Sequence, residues 1–98
     1  MGKRLDFEWD ENKRRINLEK HGFDFRDCAL LFRGPVASWL DVRFDYGEPR
    51  FLAAGLLNGR VVIVAYAEKP NAIRIISMRK ASRNEETYYF ESLARIRN

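Results

Sequence analysis

Asn58-Gly59 stands between two strand-like runs, RFLAAGLL and VVIVAYA, and it restricts the fold of this chain more than any other dipeptide. A two-residue connection of this kind is a type I′ turn, whose positive φ angles suit Asn and Gly and whose twist matches that of antiparallel strands. A second reversal, Glu68-Lys69-Pro70-Asn71, leads into AIRIISM, so three consecutive strands are expected as an antiparallel meander. Upstream, VASWLDV adds a fourth. Both faces of the central strands read as apolar, so helices are expected to cover part of each side.

Those helices announce their ends. Asp10 is a good N-cap and Gly22 a C′ stop, which predicts a helix between them. Its apolar positions are few, chiefly Ile16 and Leu18, so one narrow stripe is expected to pack and the helix to be the most loosely held element. A second helix is expected from Asp24, because Phe25, Cys28, Ala29 and Phe32 recur at helical spacing until Gly34-Pro35 ends the run. Ser82 and Glu85 stand three apart as a capping box, and Tyr89, Leu93 and Ile96 give the C-terminal helix a docking stripe. The expected class is α+β, with two N-terminal helices, an antiparallel sheet of about four strands and a C-terminal helix. At 98 residues, one domain over 1–98 is expected.

The 46% hydrophobic and 13% aromatic content is that of a folded globule rather than a disordered chain. No apolar run nears the ~20 residues of a membrane span, and the opening residues lack the apolar segment of a signal peptide, so a cytoplasmic protein without membrane association is expected. Cys28 is the one cysteine and falls in the apolar stripe of the second helix, where it reads as a small buried hydrophobe. With one His besides, neither a metal site nor a cofactor is expected.

Four cations, Arg74, Arg79, Lys80 and Arg83, enter the strand-to-helix junction AIRIISMRKASR with no acid among them. The capping box turns helix N–H groups toward this bend, which suits an anion, and the guanidinium fork suits a phosphate. The alternative is a solvated strand end neutralised by Glu85 and Glu86. A net charge of +4 favours a polyanionic partner. The chain has no Gly-rich phosphate loop and no nucleophile elbow. Its Arg, Lys, His, Glu and Tyr residues suit phosphodiester cleavage by the 2′-OH of RNA, which needs a base, cations and an acid but in principle no metal.

His21, the one imidazole of the chain, is the acid/base candidate; alternatively it meets the last carbonyls of the first helix. Strand alternation places Arg60 with Val62, Val64 and Tyr66 on one face. A hairpin symmetric about Pro70 would set Tyr66 beside Arg74, as a base-stacking platform next to a phosphate ligand, unless Tyr66 is simply packed. Arg79 has the opposite parity to Arg74 unless the strand bulges between them. Trp9 and Trp39 read as core or interface anchors.

Lys20-His21-Gly22, Asp45-Tyr46-Gly47-Glu48 followed by Arg50, Gly59-Arg60, and Ile73-Arg74-Ile75-Ile76-Ser77 followed by Arg79 together resemble the BrnT family of bacterial type II toxins, over nearly the whole chain. The resemblance implies a RelE-like fold, ribonuclease activity that halts growth, and neutralisation by a BrnA antitoxin with a ribbon-helix-helix DNA-binding domain, through which the complex reaches DNA. By motif match it implies catalytic roles for His21, Arg60, Arg74 and Arg79. Lys20, Arg50, Tyr66, Lys80 and Arg83 are the accompanying RNA-binding candidates. Ala67 stands where the family often has Thr, and Pro49 where it usually has an acid. On the first helix, Lys13, Arg14 and Arg15 form a charged surface that the fold does not need and that an antitoxin segment could cover. The competing reading is a non-catalytic nucleic-acid-binding corepressor or regulatory scaffold.

Overall fold

The computed structural model describes residues 6–97, apart from the side chains of residues 96 and 97. In chain order the elements are β1 (Asp6–Glu8), α1 (Glu11–His21), a 3₁₀ turn (Phe25–Asp27), α2 (Cys28–Arg33), β2 (Ala37–Leu40), β3 (Phe51–Leu57), β4 (Arg60–Lys69), β5 (Ala72–Lys80) and α3 (Arg83–Arg97). The strands form one sheet in the order β1-β5-β4-β3-β2. The expected meander is there, closed by Asn58 and Gly59 at φ 51° and 77°. The sheet is mixed, however, and has five strands: β1 pairs parallel to β5, Phe7 opposite Ile73. No helix among the described residues is long and apolar enough to cross a membrane.

Local signals set the helix ends. The Asp10 carboxylate accepts from Lys13 N at 3.0 Å, and Gly22, at φ 78°, donates its N–H to Leu18 O at 2.8 Å. The second helix begins one turn later than expected, because Asp24 caps the 3₁₀ turn through Arg26 N before α-helical geometry starts at Cys28. At α3 the capping box closes in both directions: Ser82 N donates to Glu85 Oε1 (2.8 Å) and Glu85 N to Ser82 Oγ (3.2 Å).

Each face of the sheet carries its own core. On one, Phe25, Cys28 and Leu31 pack on Val62, Val64, Tyr66, Ile75 and Met78. Burial pushes the Cys28 thiol up to about 11, which keeps it protonated and inert. On the other face, Tyr89 and Leu93 of α3 pack on Leu52, Ala54, Val61 and Ile63 as expected; Ile96 lies outside the described side chains. Both tryptophans are anchors, Trp9 against the first core and Trp39 against the second.

The seat of α1 corrects the sequence reading. Ile16 is 62% and Leu18 39% exposed, whereas Asn17 is buried. Asn17 Nδ2 donates to Met78 O (2.9 Å) and to Phe23 O (3.0 Å), and its Oδ1 accepts from Met78 N (3.1 Å). One carboxamide thus mimics a neighbouring strand along the β5 edge that short β1 leaves uncovered. A buried, fully paired amide, rather than an apolar stripe, seats this polar helix on the sheet.

Candidate nucleic-acid interface

A one-residue irregularity in β5 decides which side chains meet. Up to Ala65 the register pairs Val64 with Met78 and Ala65 with Ser77; beyond it Tyr66 pairs with Ile75, so Ile76 is extra. An extra residue reverses the parity of everything after it. Arg74, Ser77 and Arg79, which simple alternation would divide, therefore lie on one face, the face that carries α3. The hairpin turns on Pro70 and Asn71 rather than being symmetric about Pro70, and this puts Arg74 opposite Ala67.

Register extends the arrangement across the sheet. Asp41 N donates to Arg50 O at 2.8 Å, one step beyond Leu40 opposite Phe51, and Glu8 stands beside Arg74. Asp41, Arg50, Ala67, Arg74 and Glu8 consequently form a row over all five strands. Ala65, Ala67 and Ser77 supply a floor of small side chains, and the segment 41–50 forms one wall. α3 covers the other end of this face, so the row stays open.

Most cations here are already matched. Arg74 Nη1 lies 3.1 Å from Glu8, Lys69 Nζ 2.6 Å from Glu48, and Arg43 Nε 2.9 Å from Asp41. Arg79 grips Glu85 with both Nη groups, at 2.7 and 2.9 Å. Hydrogen bonding to Arg79 holds the Glu85 carboxyl down to about 2. Arg43 likewise holds Asp41 well below the usual carboxylate range, with Tyr46 Oη donating to Asp41 at 2.9 Å. Glu48 is lowered first by Lys69 and further by the nearby charges of Arg50 and Arg74. Arg50 has no carboxylate partner among the described residues. Its guanidinium lies over the Tyr46 ring, 4.1 Å from the centroid, and its buried Nε finds no acceptor.

Magnitudes rank these cations as anion ligands. An exposed ion pair contributes only about 0–1 kcal/mol, so an incoming phosphate can compete for Arg74, which is 39% exposed. The two-pronged Arg79–Glu85 pair also closes the start of α3 and is harder to open. Arg50 requires no exchange at all. The expectation of an acid-free junction at Arg79 is thus corrected: the alternative, neutralisation by Glu85, holds for that residue.

Lys20 and His21 lie at the end of α1, along the β5 edge. They line a cavity with Lys13, Ile76 and Ser77, and Ser77 belongs both to this cavity and to the floor of the open face. Arg60, by contrast, alternates with Val62, Val64 and Tyr66 on the opposite side of the sheet. It lies seven residues along β4 from the partner of Arg74, roughly 23 Å at strand rise, in a pocket with Lys80 and Glu86. Arg83 opens α3 as an exposed residue. Tyr66 is 6% exposed between Phe32 and Phe51, so it packs in the core and offers no platform to a base. Arg14, expected to be free for a partner, is 12% exposed and engaged by Glu11 and by Asp24 at 3.1 Å; Lys13 and Arg15 remain exposed.

Sequence reasoning missed Glu8, Arg43, Lys69, Ser77 and the roles of Asp41 and Tyr46. The motif Asp45-Tyr46-Gly47-Glu48 with Arg50 pointed to the segment, but the contacts follow from the register. Among the described residues no three His, Cys, Asp or Glu side chains gather as a metal-binding group.

Residues 9–85 match the family described as "Ribonuclease toxin, BrnT, of type II toxin-antitoxin system". No curated protein matches the chain. Among solved structures, the 1.1 Å crystal structure of the Brucella abortus ribonuclease toxin BrnT is similar, with 30% sequence identity and a TM-score of 0.61 over 82% of this chain and 100% of that one.

Proposed function

From the premise that this chain belongs to the BrnT family of ribonuclease toxins of type II toxin–antitoxin systems, we propose that its open sheet face cleaves RNA, in a RelE-like manner and without a metal. The observation that carries this reading is the row Asp41–Arg50–Ala67–Arg74–Glu8, in which one guanidinium without a carboxylate partner among the described residues and one easily released guanidinium flank a floor of small residues. A phosphodiester laid on that floor meets Arg50 and Arg74. Their charge balances what develops on the phosphate as the 2′-oxygen attacks, the 2′,3′-cyclic phosphate forms and the 5′-oxygen leaves. His21 is the proposed acid or base, and Lys20 binds the flanking backbone. Arg79 adds field from its seat on Glu85. Arg60, Lys80 and Arg83 serve RNA extending past the far end.

The proposal includes action in the cytoplasm and neutralisation by a BrnA-like ribbon-helix-helix antitoxin, with DNA bound through that antitoxin. Lys13 and Arg15, rather than Arg14, would meet it on α1. Purified protein incubated with RNA in EDTA is expected to cleave it, and Arg74→Ala and Arg50→Ala to lose about 10²–10³ in rate. RNA that stays intact in EDTA and is cut only after Mg²⁺ is added would remove the metal-free mechanism. If RNA is bound but never cut, with or without ribosomes, and expression is tolerated, the corepressor reading takes its place.

A further inference from the structure

Beside Arg79, on the same face, lies a cavity of about 340 Å³ lined by Trp39, Asn84, Glu85 and Tyr88. Trp39 and Tyr88 meet edge to face, with ring centroids 5.3 Å apart and planes at 82°. Tyr88 is 43% exposed although its neighbour Tyr89 is fully buried. The Glu85 carboxylate is taken up by Arg79 and by Ser82 N, so it presents no free charge to a ligand. Asn84 is exposed, and its carboxamide makes no hydrogen bond among the described residues. The cavity is thus aromatic-walled, electrically neutral and supplied with one donor–acceptor group. It opens on the face where the phosphate is proposed to lie.

We propose that this cavity holds one unpaired nucleobase of the RNA substrate, stacked on Tyr88 against Trp39, with the Asn84 amide reading its edge. The inference rests on the ribonuclease reading for the identity of the ligand as RNA. Single-stranded nucleic acid is held by aromatic faces beside cations, and a flat carboxamide pairs with adjacent donor and acceptor atoms of a base. A base fits the aromatic walls of a cavity this size while its phosphate extends toward Arg79 and the open row. Double-stranded RNA, with its bases stacked and paired, cannot enter. Asn84 therefore sets base preference without taking part in bond breaking.

The test uses the intact protein and a short, fully 2′-O-methylated single-stranded RNA, which lacks the attacking hydroxyl, with one abasic position walked along it. Tyr88→Ala is expected to weaken binding by about 5- to 150-fold and to abolish the penalty of the critical abasic position. Tyr88→Phe should retain both, and Asn84→Ala should flatten the preference among the four bases. Trp39 fluorescence should be quenched by the oligonucleotide with the base present and not without it. Wild-type affinity and abasic sensitivity in a folded Tyr88→Ala protein would overturn the proposal. So would a Tyr88→Ala protein that loses antitoxin but not RNA, since the pocket would then be a protein interface. Base-dependent binding by a protein that never cuts unmodified RNA would keep the pocket and discard the ribonuclease reading. Cleavage indifferent to every abasic position would do the reverse.

Discussion

Arg50 shows how a single guanidinium is held ready. Tyr46 lies beneath it as a flat platform, and the Tyr46 hydroxyl is itself tied to Asp41. A cation over an aromatic face is worth about 0.5–2 kcal/mol, enough to fix a rotamer but too little to compete with a phosphate. Tyr46→Leu is therefore expected to lower kcat for RNA cleavage by about tenfold while the fold survives, and Tyr46→Phe, which keeps the ring, to lose much less. Equal losses in the two variants would assign the effect to the hydroxyl and Asp41 and would remove the platform argument. Sequence alone could single out Tyr46 and Arg50 as neighbours in a motif. It could not reveal that Arg74, 24 positions later, shares their row, because that depends on a register in which one residue more or less turns every side chain over. The misplacement of Tyr66 has the same origin: alternation correctly put it with Val62 and Val64, and only the assumed symmetry of the Pro70 turn brought Arg74 to its side.

Among the elements, those whose boundaries rest on local chemistry were legible. Asp10 and Gly22 bracket α1, Asn58-Gly59 closes β3 on β4, and Ser82 with Glu85 opens α3, each through groups no more than a few residues apart. A short extended piece before Asp10 is legible in the sequence, but its place in the sheet is not, since three residues carry no period and the partner lies 66 positions away. The bulge at Ile76 leaves no mark in AIRIISM, and Asn17 looks like any polar residue on a solvated helix. A packing constraint between α2 and β3 is sharper. A Cβ built on Gly55 would stand 2.7 Å from Leu31 Cδ2 and 2.8 Å from Leu31 Cγ. Leu31 is fully buried, so it has nowhere to move. Gly55→Ala is expected to destabilise the protein by about 1–3 kcal/mol, read as a lower urea midpoint. Unchanged stability would mean that α2 can lift from the sheet.

On the scale of the whole molecule, depressed carboxylates tie stability to pH. Asp24 is held down to about 2, first by its hydrogen bond to Arg26 and further by Arg14, and Glu85 to about 2 by Arg79. Their unfolded values are about 3.9 and 4.3. A folded-state pKa below the unfolded one means that the unfolded chain takes up protons first, so the stabilisation is complete above about pH 5 and disappears as pH falls toward 2. The melting temperature is expected to change little between pH 7 and 5 and to drop steeply below. Glu85→Gln should start lower at pH 7 and lose less on acidification; an identical acid profile in that variant would show that Glu85 carries no share of the decline. The Asn17 clasp bears on order in time as well. Its two bonds to Met78 join residues 61 positions apart, and β1 likewise depends on Ala72–Arg74. Contacts so distant cannot form before the chain has been made as far as β5. The N-terminal segment can coil early through its own caps, yet it has no seat until β5 has been made. Lys20 and His21 therefore take their place beside Ser77 only once β5 has been made, and the α1 side of the proposed site follows the strand side.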